Sequence, residues 1–246
     1  MGLPVSQRKN VQYKGGGRKR RLPDVPGLHS ERAWWEQGVV VAGVDEVGRG
    51  AWAGPLSVGA VVLPSDRRMY KLRDSKVLDP IRRQELADRL RSFALAASVG
   101  HVSNDEIDHI GMTAAMRLAA RRAVDGLAVR PDVVLIDGNW DFLAGYGTTN
   151  ERIIGGDARS ASIAAASIVA KVTRDALMSD VCPVYPGYDF SSNKGYPSPS
   201  HKARLATSGP CRIHRQSWGP VAEAGRRVLG DAWVRPPRLV HDVPTD

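Results

Sequence analysis

Four acidic residues stand where apolar, strand-like segments give way to turns. Asp45 and Glu46 end the apolar run that starts at Val39, Asp137 ends the segment VVLID, and Asp157 follows IIGG. In an α/β sheet, ligands gather in the crevice outside the strand ends, particularly near a change in strand order. We therefore expect these four carboxylates to converge at one edge of a sheet.

The donor set of such a site indicates its chemistry. Converged carboxylates repel one another and raise each other's pKa unless a cation lies among them. An all-oxygen site without His or Cys favours a hard cation, Mg²⁺ or Mn²⁺, over zinc. Four acids can hold two such ions about 4 Å apart, an arrangement that clamps the attacking and leaving oxygens in phosphoryl transfer. The pattern predicts two-metal hydrolysis of a phosphodiester.

Simpler explanations exist for two of the acids. Asp157 can be the N-cap of the Ala-rich helix that follows it, and Asp137 can be a turn former before Gly138. Neither explanation accounts for two adjacent acids at the end of a buried strand. A fifth acid, Asp175, lies about 22 Å further along the Ala-rich helix, so we exclude it from the predicted metal site.

A glycine-rich turn follows the first two acids. Gly48, Gly50 and Gly54 are spaced GxGxxxG, one residue too long for the dinucleotide-binding fingerprint, and a strand rather than a helix follows. Glycines at this point instead allow a ligand to approach the backbone, whose N–H groups can bind sugar or phosphate oxygens. Arg49 adds a charged fork between them.

The elements that must position these residues form an α/β layer with a mixed five-stranded sheet flanked by helices, and the first two strands pair antiparallel. Cap signals begin three helices, at Ser30, at Asp79-Pro80 and at the Ser103–Glu106 capping box. The predicted helices cover 30–38, a segment from 80, 103–125 and 160–178, and a last helix follows Trp218; the strands cover 39–45, 56–63, 94–102, 131–137 and 150–156.

The charge of the chain indicates a polyanionic partner. Its net charge is +9 and its pI is about 9.9, values typical of nucleic-acid-binding proteins. Seven of the basic residues lie within Met1–Leu22, which contains no acid. This tail can be a solvated, disordered extension or an arm that grips phosphate, and the sequence favours neither.

The chain divides into four parts by composition. We expect a basic, disordered extension over 1–29, a catalytic core over 30–180, a C-terminal loop-helix part that binds substrate over 181–231 and a tail over 232–246. No apolar run reaches the roughly 20 residues of a membrane span, and no secretory signal is recognisable. Cys182 and Cys211 have neither disulfide nor zinc spacing. We predict a cytoplasmic monomer without membrane contact.

Several motifs, in order, resemble those of bacterial type 2 ribonuclease H, the ribonuclease HII family. The resemblance covers about residues 38–228. Its motifs are GVDEVGRG (43–50), AGP (53–55), DSK (74–76), LIDGN (135–139), SIAAASIVAKVTRD (162–175) and NKGYPSPSH (193–201).

The resemblance implies a ribonuclease H-like fold with a helical C-terminal part and Asp45, Glu46, Asp137 and Asp157 as metal ligands. It further implies that Gly48, Arg49 and Gly50 recognise the 2′-hydroxyl and phosphates at an RNA–DNA junction, and that Tyr196 packs on the sugar of the next deoxynucleotide. Such enzymes cut the RNA strand of RNA–DNA hybrids and cut duplex DNA 5′ of an embedded ribonucleotide, leaving 3′-hydroxyl and 5′-phosphate ends, which serves ribonucleotide removal from DNA.

The chain departs from the family pattern at three places. Gly155 stands where a Lys is common two residues before the fourth acid, Ala51-Trp52 replaces Pro-Leu, and Val77 replaces a second Lys after DSK. The alternatives are a type 3 ribonuclease H, which usually carries Lys in the Gly-Arg-Gly motif and an extra N-terminal domain, another ribonuclease H-like nuclease, and a catalytically silent nucleic-acid-binding module. Four retained carboxylates argue against the silent module, because they would weaken binding to a polyanion.

Overall fold

The computed structural model describes residues 26–69 and 79–234, which form one five-stranded sheet with helices on both faces. The strands are β1 (Val41–Val47), β2 (Leu56–Val62), β3 (Ala96–Val102), β4 (Val133–Asp137) and β5 (Thr149–Ile153). The helices are α1 (His29–Trp35), α2 (Pro80–Phe93), α3 (Asn104–Asp125), α4 (Ala161–Asp180), α5 (Phe190–Asn193), α6 (Pro199–Ser208) and α7 (Gly219–Leu229).

The sheet changes strand direction at β1. The order is β3-β2-β1-β4-β5, in which β1–β2 and β2–β3 are antiparallel while β1–β4 and β4–β5 are parallel. The predicted mixed sheet and the antiparallel first pair are confirmed. β1 and β4 lie at the centre and are apolar on both faces, as expected of strands covered on two sides.

Helix α4 packs very close to one face of the sheet, and α3 covers the other. A Cβ added at Gly43 would lie 2.2 Å from the Ser162 carbonyl carbon, and one added at Gly59 would lie 2.3 Å from the Ala166 oxygen. Only glycine on the strands permits this approach. The Ala-rich sequence of α4 serves the same end, because small side chains let the helix settle onto the strands.

Local cap chemistry starts the helices as predicted, with one exception. Asp79 accepts a hydrogen bond from Arg82 N, and Ser103 forms a complete capping box with Glu106. The predicted Ser30 cap is wrong, because α1 begins one residue earlier, after Leu28, with no side-chain cap. A contact with a distant part of the chain holds the start of α1 instead.

Glu31 provides that contact. Its buried carboxylate accepts bonds from Ser160 Oγ at 2.6 Å and Ser162 N at 2.8 Å, so α1 is tied to the first turn of α4. The start of α4 therefore depends on a residue about 130 positions earlier in the chain.

The strand ends differ from the prediction by two or three residues. β1 runs from Val41 to Val47, so Asp45 and Glu46 lie within the strand, just before its last residue. β5 ends at Ile153 and does not extend into the glycines that follow. The DSK motif and the Met1–Leu22 tail lie outside the described residues. Within the described ranges, no helix has the length and apolarity to cross a membrane, and both cysteines are free thiols.

Candidate active site

The parallel pairing of β1 and β4 places two of the predicted acids side by side. The last register pair is Val44 with Ile136, so the next residue on each strand is an aspartate, Asp45 and Asp137. Asp45 is only 6% exposed, and its carboxylate accepts a bond from the Glu46 amide at 2.8 Å. Two carboxylates thus share one level of the sheet, on the face covered by α4.

The turn after β5 brings the fourth acid to the same place. Gly156 N donates to Asp137 Oδ1 at 2.6 Å, which ties the turn to the end of β4. Asp157 follows in a short 3-10 turn and is 7% exposed. The cap of α4 is Ser160, whose side chain accepts from Ile163 N, so the explanation of Asp157 as that helix cap is wrong.

Burial and mutual repulsion shift the proton equilibrium of this group. Burial raises the pKa of Asp45 to about 7, a hydrogen bond with Ser167 on α4 opposes the rise, and repulsion from Glu46, Asp137 and Asp157 adds to it. The four acids are therefore within electrostatic range of one another. A cation among them would favour the charged form of Asp45.

The four carboxylates do not form a single cluster of metal ligands. Across the described ranges, no three Asp, Glu, His or Cys side chains form a ready set of metal ligands. The alternation of β1 accounts for part of this, since Asp45 lies opposite Gly59 on the α4 face while Glu46 lies opposite Val58, which packs with α3. The donors are all carboxylate oxygens, which fits a hard divalent cation.

The glycine loop, residues 48–55, leaves β1 directly beside the acids. Its first amide, Gly48 N, donates to Tyr196 Oη at 3.0 Å, across 148 positions of sequence. Within the described part of the chain, the N–H groups of Arg49 and Gly50 have no backbone acceptor. The Arg49 side chain is 59% exposed and lies 3.9 Å from Glu46. Two amide donors and one guanidinium thus stand next to the carboxylates.

Two fully buried arginines hold this loop from behind, and the sequence analysis missed both. Arg174 on α4 donates to the carbonyls of Pro55, Lys194 and Ala53. Arg215 donates to those of Gly48, Arg49 and Gly54. Each side chain is 0% exposed, so neither can be explained as a solvated surface charge. Arg174 stands between polar and charged residues, in the stretch KVTRD, so its local sequence does not mark it as buried.

A pair of buried histidines supports Tyr196. Cys211 N donates to His214 Nδ1 at 3.0 Å, so His214 carries its proton on Nε2. That proton is donated to His201 Nε2 at 2.9 Å, which leaves His201 Nδ1 to donate to the Tyr196 carbonyl at 2.8 Å. The network needs both rings to be neutral, and burial lowers the pKa of each.

The residues predicted for the site lie along one edge formed by β1, β4, the turn after β5 and the 193–198 segment, although their carboxylates do not form one cluster: Asp45, Glu46, Asp137, Asp157, Gly48, Arg49, Gly50 and Tyr196. Asp175 lies elsewhere, paired with Lys171 at 2.9 Å and with Arg83 at 3.9 Å.

Comparison with known proteins identifies the family. The family model described as Ribonuclease HII matches residues 42–221. The chain belongs to the ribonuclease HII family. Ribonuclease HII of Streptomyces avermitilis is 49% identical over 179 residues, 73% of this chain and 76% of the relative. Ribonuclease HII of Moorella thermoacetica is 49% identical over 189 residues, 76% of this chain and 91% of the relative.

A solved structure agrees with the family. Ribonuclease H2 of Pyrococcus horikoshii superimposes with a TM-score of 0.66 at 29% identity, over 78% of this chain and all of that one. The predicted ribonuclease H-like mixed sheet and the predicted enzyme class are confirmed. The chain is a ribonuclease H endonuclease of the ribonuclease HII family.

Proposed function

We propose that this ribonuclease H cuts the RNA strand of RNA–DNA hybrids and cuts duplex DNA on the 5′ side of an embedded ribonucleotide, leaving 3′-hydroxyl and 5′-phosphate ends. The observation that carries the proposal is the direct adjacency of two groups. Asp45 and Asp137 lie side by side near the ends of β1 and β4. The glycine loop starts three residues after Asp45, and its Arg49 and Gly50 amides have no backbone acceptor among the described residues.

We propose Asp45, Glu46, Asp137 and Asp157 as the metal ligands, with Mg²⁺ or Mn²⁺ as the cofactor. Ions held by these carboxylates would supply activation of a water and stabilisation of the departing 3′ oxygen. The raised pKa of Asp45 supports this assignment, because the protein keeps a buried carboxyl among like charges. Asp137 has a second role as a positioning group, since its bond to Gly156 N holds the turn that carries Asp157.

The glycine loop would read the sugar. The 2′-hydroxyl distinguishes ribose from deoxyribose and can accept from a backbone amide. The amides of Arg49 and Gly50 are the donors that fit, and the exposed Arg49 guanidinium fits an adjacent phosphate. The guanidinium of Arg174 lies 5.5 Å from the centre of the Tyr196 ring, so the sugar of the next deoxynucleotide would pack on the opposite face.

Gly155 removes one positive charge that the family often has near the fourth acid. In this chain Gly155 adopts a φ of +64°, the left-handed region, and begins the turn that carries Asp157. We expect glycine to favour the left-handed conformation of this turn, and we expect phosphate binding near the fourth acid to depend on Arg49.

We place the reaction in the cytoplasm, where bacterial DNA lies. It would serve the removal of ribonucleotides from DNA, and we expect the protein to be a monomer.

One assay tests the proposal. Three duplexes of one sequence are compared: a continuous RNA–DNA hybrid, DNA with one embedded ribonucleotide, and all-DNA, each with Mg²⁺, Mn²⁺ or EDTA. We expect cuts in the first two that require the divalent ion, with the single-ribonucleotide duplex cut on the 5′ side of that nucleotide. Cleavage in EDTA would refute the metal assignment, and cleavage of the all-DNA duplex would refute the reading of ribose.

A further inference from the structure

Arg215 lies directly behind the two amides assigned to substrate. Its Nη2 donates to the Gly48 carbonyl at 2.7 Å, its Nη1 donates to the Arg49 carbonyl at 2.9 Å, and its Nε donates to the Gly54 carbonyl at 3.2 Å. The side chain is 0% exposed, and Trp218 covers it with its ring centre 5.6 Å away. Arg215 therefore cannot touch a substrate from where it lies.

The geometry of the peptide bond turns these contacts into an orientation of the loop. In a trans peptide the C=O and N–H groups point in opposite directions, and the described residues contain no cis peptide. The peptide whose carbonyl belongs to Gly48 carries the N–H of Arg49, and the next peptide joins the Arg49 carbonyl to the N–H of Gly50. Holding both carbonyls inward aims both N–H groups outward; the Gly48 carbonyl also accepts from Ala51 N at 3.2 Å, and Arg215 makes the shorter bond to it.

We propose that Arg215 is the positioning residue for ribose selectivity, because one buried guanidinium fixes the direction of both amide donors that read the 2′-hydroxyl. This inference rests on the proposed function and extends it to a residue that lies outside the substrate-contacting surface. Only a planar fork with several fixed donors can hold two successive carbonyls and a third one together; the single ammonium of a lysine cannot reproduce that geometry.

The surroundings of Arg215 keep the fork in place. Its own amide donates to the Trp52 carbonyl at 2.8 Å. Asp108 on α3 accepts bonds from the next two residues, at 2.7 Å from Gln216 N and 2.9 Å from Ser217 N. Burial, followed by repulsion from Arg174, lowers the pKa of Arg215 to about 9, so the group stays cationic at neutral pH.

The test compares Arg215→Lys with Arg174→Lys in an Asp45→Asn background, which is intended to prevent cutting. The two arginines are matched, since each is fully buried and donates to three carbonyls, but Arg174 does not hold the Gly48 or Arg49 carbonyl. For each protein one measures the Kd for a duplex with a single ribonucleotide and for the same all-DNA duplex, and takes the ratio.

We expect Arg215→Lys to reduce the preference for the ribonucleotide duplex about tenfold, the size expected for one or two weakened hydrogen bonds. Arg174→Lys should weaken binding to both duplexes alike and keep the ratio, because Tyr196 beside it contacts a deoxynucleotide that both duplexes contain. A preference that survives Arg215→Lys overturns this inference alone. A background protein without any preference overturns the proposed reading of ribose and this inference with it.

A second variant and a spectroscopic readout keep the inference testable if Arg215→Lys does not fold. Asp108→Asn leaves Arg215 in place but weakens the contacts that hold its segment, so a smaller loss of preference in the same direction is expected. Amide ¹H–¹⁵N spectra should show shifts at Arg49 and Gly50 in Asp108→Asn. Unshifted amides together with an unchanged ratio would contradict the proposal.

Discussion

The acidic strand ends and the glycine loop are adjacent regions that hold buried charge in opposite ways. Burial and repulsion from three other acids raise the pKa of Asp45. Arg174 and Arg215 are also like charges, yet each is surrounded by three carbonyl acceptors. The acidic strand ends retain a repulsion between carboxylates that a bound cation would offset. Behind the glycine loop, the buried guanidinium groups already have carbonyl partners within the protein. Catalytic groups and scaffold groups should therefore respond to mutation with opposite signs in stability.

The largest expected effect is on cleavage. Asp45→Asn and Asp137→Asn should each lower the cleavage rate by about a thousandfold or more, roughly 4 kcal/mol of transition-state stabilisation, while binding of the hybrid is kept or improved. Rates are measured on the single-ribonucleotide duplex in Mg²⁺ and in Mn²⁺. Asp175→Asn is the matched control, because Asp175 is paired with Lys171 away from the site. Near wild-type rates in either site variant would refute the two-metal assignment.

The next effect is on the stability of the loop scaffold. Arg174→Met should lower the free energy of unfolding by about 3 kcal/mol, because the carbonyls of Ala53, Pro55 and Lys194 lose their donor in a buried position. Denaturant unfolding measures this change. Arg91→Met, on the exposed side of α2, should change stability by less than about 0.5 kcal/mol. Equal losses in the two variants would contradict the scaffold role.

Neutralising an acid in the site should raise the free energy of unfolding, the opposite of the effect expected for Arg174→Met. The folded state holds a proton on Asp45 more tightly than the unfolded state does between pH 3.8 and about 7, so its contribution to stability falls as pH rises through that window. In EDTA at pH 8, Asp45→Asn should raise the free energy of unfolding by about 2 kcal/mol, roughly half of what the full pKa shift corresponds to, because the amide is still a buried polar group. The gain should vanish near pH 4. Asp175→Asn serves again as control. A destabilised Asp45→Asn protein at pH 8 would break the comparison.

The smallest effect concerns acid pH on the Tyr196 side. Burial, followed by repulsion from His201, lowers the pKa of His214 from 6.5 to about 3, so the unfolded state binds more protons between these values. The contribution of His214 to stability should then fall by about 1.4 kcal/mol per pH unit as pH drops below 6.5, opposite in sign to the contribution of Asp45. His214→Asn should lose less stability than the wild type as pH falls from 6.5 to 5, as measured by denaturant unfolding, while His201 keeps its own contribution. An unchanged slope would show that the pair does not control acid sensitivity.

The parts of the fold that follow from neighbouring residues could be predicted from the sequence. The Asp79 cap and the Ser103–Glu106 box lie where expected, because a cap needs only three or four consecutive residues. The Ser30 cap failed because the start of α1 is determined by Glu31 reaching α4, a contact between distant parts of the chain. A cap residue in the sequence can be overridden by a contact between distant parts of the chain, and a short stretch of sequence does not show such a contact.

The site shows the same division. The acids were recognisable because adjacent carboxylates at the end of a buried strand have no local use, whereas Tyr196 was suggested only by the family resemblance. Arg174 and Arg215 could not be predicted, because the carbonyls that they bind in the glycine loop lie 119 to 167 positions away in the sequence. A buried arginine looks like a surface arginine in sequence, so only the fold reveals the scaffold.

The two glycines that flank Arg49 differ in what requires them. Gly48 has a φ of +87°, and a Cβ there would lie 2.2 Å from Arg174 Nε, so the protein's own interior excludes any other residue. At Gly50, no atom of the described residues beyond its chain neighbours lies within 4 Å of the position a Cβ would occupy, and its φ is not positive. The chain alone would tolerate alanine there. Under the proposed role of the loop, an intolerance of Gly50→Ala would report contact with bound nucleic acid, whereas an intolerance at Gly48 would report the packing of the fold.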